Sequence, residues 1–301
     1  MRQMRLLKRL LLFIIGLLLV IVLAFWGFKE NFPGKSIANA IQLRLTTQTG
    51  IPVEIEALEL SWLKVSTPEI ALRTPRWLAA TPDVRLLIIK NVEALFVPLI
   101  TSGKAKILGQ LHGGTIEVYT DLRSRKMFDI TLTGVKIEQV PLIAALPYAF
   151  VSGRLSLSSQ IENINALQSQ QAQFPEGNLQ GRLIDAEIRI SGGGYLLGIQ
   201  LPDLDFSEVL FDLQLGPLIA VRKIQIKGSF DGMIEGTIRL NEKRPRMSLI
   251  DLNIELTPSP ALKDEISNFG TLLRSFQCGE TIKVNLKGTL NRINFPTRNK
   301  C

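Results

Sequence analysis

The stretch Ile51–Leu60 reads IPVEIEALEL, and its period decides the fold. Val53 and Ile55 fall on one side of an extended chain, Glu54 and Glu56 on the other, and Leu58 and Leu60 follow beside Glu59. Side chains of a strand point alternately to its two faces, so this is a strand wet on one side and apolar on the other. The same two-residue period recurs to the end of the chain. It predicts strands over 62–65, 69–73, 84–95, 106–111, 115–120, 128–137, 153–161, 179–190, 209–215, 221–226, 233–240, 247–256 and 281–290. Short strands at close spacing, parted by Gly, Pro or Asn, form an antiparallel meander. Strands do not alternate with long helices, which argues against a doubly wound α/β fold.

One small pattern recurs within these strands: a glycine, any residue, then apolar residues at alternate positions. It stands at Gly114–Val118, Gly153–Leu157 and Gly236–Leu240, and in shorter form at Gly288–Leu290. Read as function, it marks a repeated β-unit. Read as structure, glycine simply permits a bend or bulge at a strand start, and this second reading is favoured.

Upstream of the strands, Asn31–Gly50 has a helical period. Pro33 and Ser36 sit near its start, Ile37, Ala40, Ile41 and Leu45 repeat at helical spacing, and Gly50 supplies a stop. Before it lies Leu10–Phe28, nineteen uncharged residues of which fifteen are Leu, Ile, Val or Phe. A helix of that length spans about 28 Å, close to the hydrocarbon thickness of a bilayer. Its insertion is favourable by roughly 5–9 kcal/mol on a per-residue scale. Arg2, Arg5, Lys8 and Arg9 precede the span, whereas only Lys29 and Glu30 follow it directly, so the N-terminus is expected in the cytoplasm. A cleaved signal peptide has a shorter apolar run and a small-residue cleavage site; this run leaves through Phe25, Trp26 and Phe28. The expected layout is a cytoplasmic tail over 1–9, a transmembrane helix over 10–28, a connecting helix over 29–50, and a far-side β domain over 51–301. The polar, Gln-rich stretch 165–178 marks a soft internal boundary, either joining two half-sheets or forming one long excursion.

Two short helices are expected to interrupt the sheet. Pro141–Pro147 encloses Leu142, Ile143 and Leu146 between two prolines. Later, Ser259 caps a helix with Pro260 at its first position, and Leu262, Ile266, Phe269, Leu273 and Phe276 form an apolar stripe ending near Gly279.

Charge and chemistry exclude more than they suggest. The net charge is +8, but half of it sits in the first 30 residues, and the rest is scattered singly. No basic block is interleaved with aromatics, so nucleic acid is not an expected partner. The two cysteines, Cys278 and Cys301, are permitted one disulfide in an oxidising compartment, or stand as unpaired thiols. They do not make a metal site. His112 is the single histidine and adjoins Gly113 and Gly114, a turn rather than a catalytic setting. Gly192-Gly193-Gly194 lacks the Lys-Ser/Thr end of a phosphate loop, so it reads as a hairpin tip. Glu54 with Glu56, and Asp203 with Asp205, alternate along strands or flank turns and read as solvated faces. The residues support neither an enzyme nor a cofactor or metal.

With the anchor, the following helix and the Gly50–Ile55 strand start in hand, the chain resembles protein N of the bacterial type II secretion system, in the AsmA-related branch. The resemblance continues through Gly134–Ile137, Leu146-Pro147, Lys227-Gly228, Glu235–Leu240 and Lys287–Leu290, and covers most of the 301 residues. It implies a single-pass inner-membrane protein with a periplasmic domain, an accessory or assembly part of the secretion machine whose partners are other secretion subunits. AsmA-like relatives imply an alternative: a curved sheet whose apolar groove binds or transfers lipid. One test separates the two. A scaffold closes its core, whereas a groove leaves more apolar strand faces than the short helices cover.

Overall fold

The computed structural model describes residues 26–27, 29–49, 51–74, 85–96, 98, 102–121, 127–144, 149–162, 176–190, 195–196, 199–200, 202–241, 247–266, 277–289 and 292–294. The expected anchor, Leu10–Phe28, lies outside them apart from Trp26 and Gly27. Among the described residues no helix is long and apolar enough to cross a membrane.

Alternation of apolar and polar residues gives the chain its strands, and short turns pair each with the next. The result is mainly β: a large, open antiparallel sheet with few helices. Its strands are β1 (Val53–Ile55), β2 (Glu59–Leu60), β3 (Lys64–Arg73), β4 (Arg85–Leu95), β5 (Lys104–Leu111), β6 (Gly114–Asp121), β7 (Met127–Lys136), β8 (Ala149–Glu162) and β9 (Glu176–Ile190). A separate two-stranded ribbon follows, β10 (Tyr195–Leu196) with β11 (Ile199–Gln200). The sheet resumes with β12 (Leu204–Leu215), β13 (Leu218–Gly228), β14 (Phe230–Arg239), β15 (Leu249–Pro258), β16 (Gln277–Cys278), β17 (Thr281–Thr289) and β18 (Arg292–Asn294). Strand order follows the sequence from β1 and β3 through β9 and β12 to β15, then β17 and β16. β2 pairs with β3, and β18 with β17. Residues 163–175, most of the Gln-rich stretch, lie outside the described residues. The strands that flank it, β8 and β9, are neighbours paired from Glu162 opposite Glu176 to Ala149 opposite Ile190.

Several strands are longer than their alternation predicts, and bulges are the reason. An extra residue flips every later side chain to the other face, so a strict period-two reading stops there. In β12 the inward positions run Leu204, Phe206, then Val209, Phe211, Leu213, with the register shifting between Phe206 and Glu208. Similar breaks fall at Asn91 in β4, Gly134 in β7 and Asp185 in β9; all three have a left-handed φ, of 50°, 66° and 50°. The separately expected strands 62–65 and 69–73 are one strand, β3. Pro68, which brings no N–H, stands opposite Asn91 and between the reaches of β1 and β2.

The glycine pattern is a bend device at three of its four sites. Gly153, Gly236 and Gly288 have φ of 144°, 146° and 142°, a region open only to glycine. Gly114 instead opens β6 after the His112-Gly113 turn. In β8, β9, β12 and β13 the irregular positions Gly153, Asp185, Ser207 and Gly228 fall side by side, forming a crease across four strands.

Helix α1 (Gly34–Thr49) does not seat the stripe expected of it. Ala40, Ile41 and Leu45 are exposed and Ile37 is half-buried. The inward ridge is instead Gly34, Ala38, Gln42 and Thr46, spaced four apart, with Ala38 only 1% exposed. The cause is the edge strand β1, whose free N–H groups need partners. Val53 N–H donates to Thr46 Oγ1 at 3.1 Å and Ile55 N–H to Gln42 Oε1 at 3.4 Å. Gly34 allows the close approach, because a Cβ there would lie 1.9 Å from the Leu58 carbonyl oxygen. Replacing both acceptors, Thr46→Val with Gln42→Leu, is expected to cost about 1–3 kcal/mol. The check is faster hydrogen exchange at the Val53 and Ile55 amides, with the β14 amides unchanged.

The opposite edge is blunted by strands of two and three residues, β16 and β18. The short helices are α2 (Pro141–Ala144), after a 3-10 turn at Ile137–Gln139, and α3 (Pro260–Ile266). As expected, Ser259 caps α3, its Oγ accepting from Leu262 N–H at 3.3 Å. Phe269, Leu273 and Phe276 of the expected stripe lie outside the described residues.

Candidate functional site: an uncovered apolar face

Register and pleat together sort the side chains of this sheet into two unlike faces. One row crosses it from β5 to β17: Gly109 opposite Ile116, then Leu132, Leu157, Gly181, Phe211, Ile224, Ile234, Ile254 and Val284, each paired with the next. A parallel row runs through Ile107, Val118, Ile130, Ser159, Leu179, Leu213, Val221, Gly236, Leu252 and Leu286. Ser159, the one hydroxyl in it, is buried and donates to the Asn178 carbonyl at 3.1 Å. The Phe211 ring lies over Gly181, where a Cβ would come within 2.1 Å of it. At the N-terminal side the same face continues through Ile55, Ile70, Ile89 and Leu111.

The other face is laced with cross-strand ion pairs. Glu208 joins Arg182 at 2.7 Å and Lys227 at 3.1 Å. Lys283 meets Glu255 at 2.9 Å, and Lys287 meets Asp251 at 3.0 Å. Arg85 holds both Glu54 and Glu69, so Glu54 is a strut between strands. Lys106 pairs with Glu117, which also accepts from Tyr119. Those hydrogen bonds, Lys106 first, hold the Glu117 carboxyl below the usual range; Lys227 chiefly does the same for Glu208. This face carries the solvent.

Helices are few beside this large sheet among the described residues. Among the described residues only thirteen apolar side chains are buried, and most members of the two rows are half-buried. α1 lies on the β1 edge, α2, four residues long, packs near β4 and β8, and α3, seven residues long, buries Leu262. Among the described residues, then, the two rows are mostly half-buried and have few helices beside them.

The candidate chemical groups lie scattered. His112 sits in the β5–β6 turn with a left-handed φ of 45°, as a turn histidine, beside Lys90, Gln110 and Gln139. Burial, helped by the charge of Lys90, pushes its pKa below the ordinary 6.5. An unfolded chain therefore binds this proton before the folded one does, so stability falls as pH drops below about 6.5. The carboxylates held low begin to matter only below their ordinary value of 4.5. Thermal unfolding between pH 7 and 5 is expected to show this slope in the wild type and to lose it in His112→Asn. Glu56, Asp203 and Asp205 are on the surface or in turns. Gly192–Gly194 lies outside the described residues. Cys278 is disulfide-bonded, and Cys301, the other cysteine of the chain, lies outside the described residues. Among the described residues no three His, Cys, Asp or Glu side chains gather as metal ligands.

No family model matches the chain, and no curated protein or solved structure matches it significantly.

Sequence reasoning missed three parts of this surface: the Phe211–Gly181 stack, the polar ridge of α1, and the position of Trp62, which is in a turn and not in a strand. The first depends on register, which alternation alone does not supply.

Proposed function

We propose that this chain is a single-pass inner-membrane protein of the bacterial envelope that works by binding and not by catalysis, holding acyl chains along the apolar face of its periplasmic sheet. The observation that supports the reading is the pair of rows from β5 to β17, apolar but for Ser159 and the glycines, with few helices beside them among the described residues. A scaffold that used the sheet only as a rigid body gains nothing from leaving that face open, and an aqueous compartment penalises it by about 25 cal/mol per Å². An extended apolar face suits a long, flexible, apolar ligand better than a compact one.

The resemblance to protein N supplies the setting: an accessory component of a type II secretion apparatus, with other secretion subunits as partners. Two experiments test the two halves. Native mass spectrometry of the detergent-extracted protein is expected to show co-purifying phospholipid, and bare protein throughout would contradict the groove. Deleting the gene is expected to trap exoproteins in the periplasm; normal secretion would remove the setting while leaving the groove untouched.

A further inference from the structure

The turn between β2 and β3 carries the two residues a solvent-facing turn least favours. Turns are built from Gly, Asn, Asp, Pro and Ser; this one presents Trp62 and Leu63, 51% and 59% exposed. It is firmly held from below. Ser61 N–H donates to the Lys64 carbonyl at 2.8 Å, and Phe96 N–H donates to the Leu63 carbonyl at 2.8 Å. A rigid base with an apolar tip asks for something apolar beyond the tip.

The course of the chain says what that is. Helix α1 runs along β1 with Thr46 at Val53, Gln42 at Ile55 and Gly34 at Leu58, so its first turn lies at the end of the sheet where β2 meets β3. Lys29 and Phe32 line the same depression as Leu58, Leu60, Ser61 and Lys64. The apolar run of the sequence therefore joins the folded part at the base of this turn. Trp26, 62% exposed, is the last aromatic of that run described in the structure. Tryptophans gather at the headgroup level of a bilayer, where an apolar ring and a polar N–H are both accommodated.

We infer that the Ser61–Lys64 turn dips Trp62 and Leu63 into the interface of the membrane that holds the anchor, giving the protein a second point of attachment. This rests on the anchored reading proposed above and deepens it. The contact brings the β2–β3 end of the sheet, where Leu60 pairs with Val65 and the line continues through Ala94 to Ile107 of the second apolar row, against the leaflet from which acyl chains are drawn.

The test uses the full chain in phosphatidylethanolamine–phosphatidylglycerol vesicles. The sequence has three tryptophans, so W26F with W77F leaves Trp62 as the sole emitter. Lipids brominated just below the headgroup are expected to quench it strongly, those brominated near the chain end less, and Leu63→Ser to weaken the quenching. A companion chain keeping only Trp26 (W62F with W77F) reports on the anchor. If Trp26 is quenched and Trp62 is not, the turn faces water or protein and the inference is overturned while the anchor stands. If neither is quenched, the anchored reading fails and takes the inference with it. Equal quenching of Trp62 at every depth contradicts an interfacial position and points to lipid held elsewhere.

Discussion

Replacing Gly236 with valine is expected to unfold the C-terminal half of the sheet, at a cost of about 3 kcal/mol or more. Two independent penalties meet at this position. Its φ of 146° is one that a side-chain-bearing residue does not hold without strain. A Cβ built there would also lie 2.2 Å from the Asp251 carbonyl oxygen and 2.9 Å from the Leu252 Cα, both backbone atoms that cannot swing aside. Gly134 is the internal control. Its φ is also positive, at 66°, yet a Cβ there meets nothing within 4 Å. Gly134→Ala should therefore cost only about 1–2 kcal/mol. Thermal unfolding of the two variants followed by far-ultraviolet circular dichroism checks the contrast. Equal midpoints would mean that the close approach of β14 and β15 at the bend is not as described.

Placing a charge in the middle of the open face should separate binding from folding. Ile234 stands between Ile224 and Ile254 and is half-buried. Ile234→Asp forfeits part of one apolar side chain's burial, about 1–2 kcal/mol, because the carboxylate can still reach water. A lipid held on that face would have to desolvate the same carboxylate, so co-purifying lipid is expected to disappear. The polar-face neighbour Glu235, changed to Gln, should leave both readouts alone. If Ile234→Asp instead melts the sheet as a core charge does, by more than about 4 kcal/mol, then protein and not lipid covers the face.

How much of this was legible beforehand follows from how alternation works. β5, β6, β14 and β17 carry no break in their period and lie within three residues of their expected bounds. β12 and β13 are extended beyond Val209 and Val221 because Ser207 and the Arg222-Lys223 pair reverse the parity of the apolar positions. Read in one frame, Leu204 and Phe206 look like residues of the wrong face. The glycine motif was readable as a bend, but the alignment of Gly153, Asp185, Ser207 and Gly228 was not, since register across four strands has no signature in any one of them. The helix α1 failed for a different reason. Its apolar residues suggested one face, but the unpaired amides of β1 demanded hydrogen-bond acceptors, and Thr46 and Gln42 supplied them. Apolar area decides which face a helix buries only where the surface beneath it is itself satisfied.

The apolar face has no chemical group whose type announces a role, so no sequence motif points to it. Its signal is a sum: many strands, each half apolar, and few described helices beside them.

The most direct test of an acyl-chain face compares two neighbouring residues in living cells. A photoreactive phenylalanine analogue placed at Ile234 points into the apolar rows, and the same analogue at Glu235 points to the ion-paired side. The account predicts lipid-labelled protein from Ile234 and none from Glu235 after illumination. Lipid captured equally from both positions, or only protein captured from Ile234, would contradict it.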